Sequence, residues 1–129
     1  MTTDQRTLID RFFDAWRSMD AGAVAEFFTD DAVYHNIPMD RIVGRDAIKA
    51  TVAGWLSAMK SIDFRFNHVV VDGNVVLMER CDIIPTSAGE AELPIMATFE
   101  LDGDRIRAWR EYFDLGQMRA LIAGQSQPS

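Results

Sequence analysis

Two stretches of this chain put charged side chains where apolar ones are expected. In the run VVLMERCDII, residues two apart share a strand face, so Val76, Met78, Arg80, Asp82 and Ile84 form one row. The opposite row, Val75, Leu77, Glu79, Cys81 and Ile83, is also mostly apolar, which predicts a strand buried on both faces. A buried charge is costly unless it is paired and hydrogen-bonded. Asp82 can neutralise Arg80, but a guanidinium has more donors than one carboxylate can use, so a second acceptor is expected nearby. Asp114, ending the segment WREYFDL, is the candidate: Ile106, Ala108, Arg110, Tyr112 and Asp114 share a face if that strand runs without a bulge. Upstream, Tyr34 and Asn36 also share a face, with His35 turned away. A phenol and an amide on one wall can orient a small polar molecule such as water.

Each group also has a plainer reading. Arg80 and Asp82 fit a surface ion pair. Asp114 fits the N-cap of a following helix. Tyr34 fits a core tyrosine and Asn36, before Ile37-Pro38, a turn residue. Several chemistries lack their motifs. There is no G-x-S-x-G elbow, G-x-G-x-x-G or P-loop. His35 and His68 are not at metal-ligand spacing, and Cys81 is the only cysteine. Neither a cofactor nor a metal is expected.

The elements that must hold these residues divide into two halves. Thr2 with Gln5 fits a capping box, and Leu8, Phe12, Ala15, Trp16 and Met19 then fall on one helical face. Asp20 can cap a short helix whose Val24, Phe27 and Phe28 face inward. After a brief strand or turn, AVYHNIPM, Gly44 or Asp46 opens a third helix, with Ile48, Val52, Trp55, Leu56 and Met59 at periodic spacing. The rest reads as strands: Phe64 to Val71, Val75 to about Ile84, about Leu93 to Leu101, and Arg105 to Phe113. Asp72-Gly73-Asn74 and Asp102-Gly103-Asp104 are hairpin signals, and Pro85 and Gly89 mark another turn. Leu115, Met118, Leu121 and Ile122 follow at helical spacing. Helices followed by a meander predict an α+β domain whose curved sheet wraps the helices as an open-mouthed cone.

The 129 residues, 48% of them hydrophobic, suffice for one core and not two, so one domain over 1–129 is expected, with flexible tails at about 1–4 and 123–129. A net charge of -7 disfavours nucleic acid and anionic lipid as partners. No signal peptide is evident, and no run approaches the roughly 20 apolar residues of a membrane helix. With a single cysteine, the cytoplasm is the expected compartment.

Taken together, YHNIP at Tyr34 to Pro38, ERCDI at Glu79 to Ile83 and WREYFDL at Trp109 to Leu115 resemble the limonene-1,2-epoxide hydrolase family, with RDAI at Arg45 to Ile48 and SIDF at Ser61 to Phe64 supporting the likeness. The resemblance covers nearly the whole chain apart from the tails. It implies the nuclear-transport-factor-2-like (SnoaL-like) fold: a cone-shaped, strongly curved mixed or antiparallel sheet around N-terminal helices. It also implies a homodimer formed through the outer sheet face. The implied activity is cofactor-free addition of water to an epoxide in one step, giving a vicinal diol. Asp82 would be the general acid, Asp114 the general base and Arg80 their link, with Tyr34 and Asn36 holding the water. Free aspartate has a pKa of about 3.9, so Asp82 needs burial and the second acid to keep a proton. Met78, Leu56, Trp55, Ile84, Ile95, Phe99 and Leu115 are the expected apolar walls, suited to a terpene-like or other compact alicyclic or aliphatic epoxide.

Rival readings are a steroid-isomerase-like proton shuttle, a SnoaL-like polyketide cyclase and a non-catalytic small-ligand-binding dimer module. An isomerase has no need of an arginine between two acids. A binding module leaves the buried charges without a purpose.

Overall fold

The computed structural model describes residues 4–126, which form three helices, a six-stranded sheet and a fourth helix at the end. Thr2 lies outside the described residues. Asp4 is the N-cap of the first helix, α1 (Gln5–Arg17), its carboxylate accepting from the Arg6 N–H. The buried stripe of α1 is Leu8, Ile9, Phe12, Phe13 and Trp16, with Ala15 and Met19 at its margin. Asp20 caps α2 (Ala21–Ala25) through the Ala23 N–H, as its residue type predicts. Val24 and Phe28 are fully buried and Phe27 packs beside them. Gly44 is the N-cap of α3 (Arg45–Ser57), which buries Ile48, Val52 and Leu56.

The segment read as a brief strand or turn is a nine-residue strand, β1 (Phe28–Asn36), followed by the two-residue β2 (Ile42–Val43). The meander is β3 (Asp63–Asp72), β4 (Val75–Thr86), β5 (Gly89–Asp102) and β6 (Arg105–Tyr112). The sheet order is β2-β1-β6-β5-β4-β3, and β1 runs parallel to β6, so the sheet is mixed. It is open, with β2 and β3 as its edges. Gly73 and Gly103 sit at φ +59° and +58° in two-residue turns closed by the Asp72–Val75 and Asp102–Arg105 pairs. Tight hairpins need positive φ there to match strand twist, and glycine supplies it without a Cβ clash. The last helix, α4 (Leu115–Ser126), continues to Ser126, past the point where composition suggests a frayed tail.

On β4 the row Val76, Met78, Arg80, Asp82 and Ile84 is buried, as predicted. The opposite row is not: Leu77 is 45% exposed and Glu79 is exposed, while Cys81 is buried. This face is the outside of the sheet, and its apolar residues do not make it a second core.

One irregularity sets the face of everything at the end of β6. Glu100 pairs with Ala108 while its neighbour Leu101 pairs with Ile106, so Arg107 is an extra residue in a bulge. Ile106 points inward, and beyond the bulge so do Trp109 and Glu111. Outside, Glu100 accepts from Arg107 at 2.9 Å and from Arg110 at 2.7 Å, tying the bulged residue to the strand beyond it.

Aromatic rings fill the cone between α1 and the sheet. Phe12, fully buried, meets Phe13, Phe27, Phe28, Phe99 and Trp109 edge-on at centroid distances of 5.0–5.8 Å. Phe12→Ala is expected to cost about 3–5 kcal/mol of stability, since five rings lose a shared neighbour. A urea titration with an unshifted midpoint would contradict this packing.

Candidate active site

Arg80 is 2% exposed and holds two carboxylates. Its Nε donates to Asp82 Oδ1 at 2.8 Å and its Nη2 to Asp82 Oδ2 at a long 3.4 Å. On the other side Nη1 donates to Glu111 Oε2 at 2.7 Å and Nη2 to Glu111 Oε1 at 2.5 Å. The Phe13 ring lies under the guanidinium, 4.9 Å from its central carbon to the centroid, and Phe64 lies at 5.8 Å. The second acceptor that the donor count of Arg80 demands is therefore present, but it is Glu111.

Asp114 is elsewhere. It is exposed, and its carboxylate caps α4 by accepting from the Gln117 N–H at 2.8 Å. The bulge at Arg107 is the reason: it moves the inward row of β6 from the even to the odd positions, so Glu111 enters the cone and Asp114 falls at the helix entrance. The signal that could have located Glu111 is Trp109. An indole that large belongs inside, and Trp109 and Glu111 are two apart on one strand.

Strand register explains how the group assembles. Tyr34 pairs with Trp109 and Asn36 with Glu111 across the parallel β1–β6 ladder. Ala97 on β5 faces both Glu111 and Met78. Tyr34 and Asn36 are 4% and 5% exposed, so the predicted pair is buried beside the ion cluster. Asn36 lies near enough to the Tyr34 phenol to oppose the upward push on its pKa. His35 turns away and meets the Met39 carbonyl.

These side chains form one end of a cavity of about 310 Å³. Its polar lining is Tyr34, Asn36, Arg80, Asp82 and Glu111; the rest is almost wholly apolar. Of the predicted walls, Trp55, Ile84 and Ile95 line it. Met78, Leu56, Phe99 and Leu115 do not: Met78 lies behind Arg80, with its sulfur 3.8 Å from Nη1, and Leu56 and Phe99 belong to the core. Residues not anticipated complete the wall, among them Phe13 and Trp16 from α1, Phe64 from β3, and Met118 and Leu121 from α4. Periodicity marks such residues as buried but does not separate core from cavity lining. Among the described residues, no three His, Cys, Asp or Glu side chains gather as a metal site.

Burial pushes both carboxyls up from their ordinary range, opposed by the adjacent Arg80 cation; for Glu111, the charge of Asp82 adds to the upward push. Burial and the charge of Glu111 push the Tyr34 phenol up as well, so it stays neutral. Burial disfavours the Arg80 cation, but the two carboxylates together outweigh it and raise its pKa. Two acids that both resist ionisation around one fixed cation titrate as a coupled group and not as separate residues.

This combination of an α+β cone and a charged cluster at the end of an apolar cavity places the chain in a known class, the nuclear-transport-factor-2-like fold. The chain belongs to the SnoaL-like domain family, whose model matches residues 9–109. It is 29% identical over 120 residues to the epoxide hydrolase EphG of Mycobacterium tuberculosis, covering 89% of this chain and 80% of that protein. It is also similar to the structure of an M. tuberculosis LEH-like epoxide hydrolase, with a TM-score of 0.77 at 27% identity over 95% of this chain and 92% of the other. The epoxide hydrolase/cyclase-like enzyme SalBIII shares the fold, with a TM-score of 0.76 at 17% identity over 88% of this chain and 92% of that one. The chain is thus a homologue of epoxide hydrolases, in line with the resemblance carried by its three motifs.

Arg80→Met is expected to lower stability by about 3–5 kcal/mol, because two buried acids lose their counter-charge. The loss has a definite pH dependence. Both acids have folded pKa values above their unfolded ones, so their contribution is full below about pH 4 and fades as pH rises through the folded values. Without Arg80 those folded values climb further, and the fall in stability between pH 4.5 and 8 steepens. Parallel denaturation curves for variant and parent across that range would rule out a buried Arg80 link.

Proposed function

We propose that this protein is a cofactor-independent epoxide hydrolase of the limonene-1,2-epoxide hydrolase type, working through an Asp82–Arg80–Glu111 unit. The observation that carries the reading is one guanidinium shared by two buried carboxylates at the polar end of an apolar cavity. An epoxide needs a proton at oxygen and an activated water at carbon, and such a unit supplies both.

The hydrogen bonds favour the division of labour. Glu111 accepts three donors, two from Arg80 and one from the Trp109 indole at 2.8 Å, whereas Asp82 accepts one short and one long bond from Arg80. Donors stabilise the ionised form, so the proton resides on Asp82 and Glu111 is the carboxylate. Water, held by Tyr34, Asn36 and Glu111, attacks a ring carbon as Glu111 removes its proton. The carbon–oxygen bond breaks, and Asp82 protonates the departing oxygen. The product is a vicinal diol with no covalent intermediate, and the proton gained by Glu111 returns to Asp82 to reset the site. Holding water and ring together supplies much of the rate gain. The apolar walls suit a compact alicyclic or terpene-like epoxide. A steroid-isomerase-like shuttle would leave the Arg80 bridge without a role.

Asp82→Asn and Glu111→Gln are each expected to lower diol formation by at least about 10²-fold while the protein stays folded. Asp114→Asn is expected to remain within a few-fold of the parent, since asparagine also caps helices. Assays with limonene oxide, cyclohexene oxide and styrene oxide test this set. Undiminished turnover in Glu111→Gln, or inactivity in Asp114→Asn matching it, would reject the assignment. In oxygen-18 water, label entering a carboxylate before the diol would reject direct attack.

The same reading takes the protein as a single cytoplasmic domain that forms a homodimer through the outer sheet face. Leu77, Met96 and Tyr112 support that face, being 45%, 51% and 45% exposed, with Met96 and Tyr112 cross-strand neighbours. No helix among the described residues is long and apolar enough to cross a membrane. Leu77→Glu combined with Met96→Glu is expected to convert a dimer in sedimentation velocity into a monomer. A parent protein that sediments as a monomer would exclude this assembly.

A further inference from the structure

Trp109 is a second partner of Glu111, unrelated to charge. It is 1% exposed, and its indole N–H donates to Oε2 of Glu111 at 2.8 Å. The ring cannot swing away. Tyr34 stacks on it at 4.3 Å with planes 8° apart, and Phe99 stacks at 5.3 Å and 15°. Both partners come from cross-strand register, Tyr34 from β1 and Phe99 from β5. Oε2 thus takes two donors, the indole and Arg80 Nη1, while Oε1 takes only Arg80 Nη2.

We propose that Trp109 is a positioning residue for the base: its N–H, locked between Tyr34 and Phe99, ties down Oε2 of Glu111 and leaves the free lone pair of Oε1 to accept the proton of water. For its role in turnover this rests on the epoxide-hydrolase reading; the hydrogen bond and its effect on ionisation do not. The charged and titratable groups facing Glu111 are Arg80 and Asp82 from β4 and Tyr34 from β1. β5 places uncharged Ala97 opposite it, and α1 contributes the Phe13 ring over Arg80. With those groups unchanged, removing the indole donor makes the carboxylate harder to keep ionised.

Trp109→Phe keeps an aromatic ring in the stack and deletes the donor. With carbon-13 in the glutamate carboxyls, the Glu111 signal is expected to titrate about one pH unit higher in this variant, a shift in keeping with a lost hydrogen bond to a charged group. The acidic limb of kcat should move upward with it, and kcat should fall roughly 10-fold with little change in KM. A purely structural tryptophan would lower stability and leave the titration in place. In the unsubstituted protein, the Trp109 indole proton resonance should move with the Glu111 titration. The indoles of Trp16 and Trp55, which are buried without a hydrogen-bond partner, should not. An unmoved Glu111 titration in folded Trp109→Phe, or a Trp109 resonance flat across the titration, overturns the proposal. If the variant does not fold, the resonance of the parent decides. Titrations that behave as expected in a protein that opens no epoxide would refute the epoxide reading alone.

Discussion

A single guanidinium, that of Arg80, makes the interior of this cone chemically possible. Two carboxyls sit at the end of an apolar cavity, and neither could stay there ionised without a nearby cation. Coulomb attraction in a low-dielectric interior is strong, but so is the cost of desolvating each charge, and the balance turns on geometry. Arg80 meets that demand with its rigid fork: Nε serves Asp82, Nη1 serves Glu111 and Nη2 reaches both. A lysine could not be divided this way, because its three donors radiate from one point. Phe13 and Phe64 also lie against the guanidinium, so the cation is held by rings as well as by acids.

The sheet supplies what the ion cluster needs. Four inward positions on two strands converge because their register is fixed: Asn36 beside Glu111, and Tyr34 beside Trp109 on the β1–β6 ladder. Ala97 stands opposite both Glu111 and Met78 and puts only a methyl group beside them. The clamp of Glu100 on Arg107 and Arg110 lies on the outer face, yet it bears on the inside of the cone. These exposed pairs add little stability individually. Their place is what matters: one of the two partners is Arg107, the extra residue whose insertion turns Glu111 inward.

Much of this was readable from residue types, and the failures share a cause. The helices, the four meander strands and both glycine hairpins follow from periodicity and turn chemistry, which are local. The Arg80–Asp82 pair follows from its apolar row, and the need for another acceptor follows from counting donors. Assigning that acceptor to Asp114 failed because parity along β6 was carried through position 107 without the bulge, and a bulge depends on the neighbouring strand. The length of β1 was missed for a similar reason, since its pairing partner β6 lies more than 70 residues away in the sequence. Met78, Leu56 and Phe99 were correctly placed as buried but not as core. Whether a buried side chain meets a cavity or another side chain is settled by packing in three dimensions, which no periodicity records.

The position of Glu111 also bears on how the acids differ. Two carboxyls in like surroundings would share a proton evenly, and neither would be reliably the donor. Here the surroundings are unequal. Trp109 adds a donor on the Glu111 side, and Asp82 is served by one good bond and one long one. Asp82 is also the more accessible of the two, at 9% exposure against 3%. A carboxyl that must hand a proton to a reactant gains from fewer competing partners. One that must stay ionised in an apolar setting needs all the donors the fold can bring to it. The inequality therefore comes from strand register and the stacked indole, and under the proposed mechanism it is what separates acid from base although both pKa values are driven upward by the same burial.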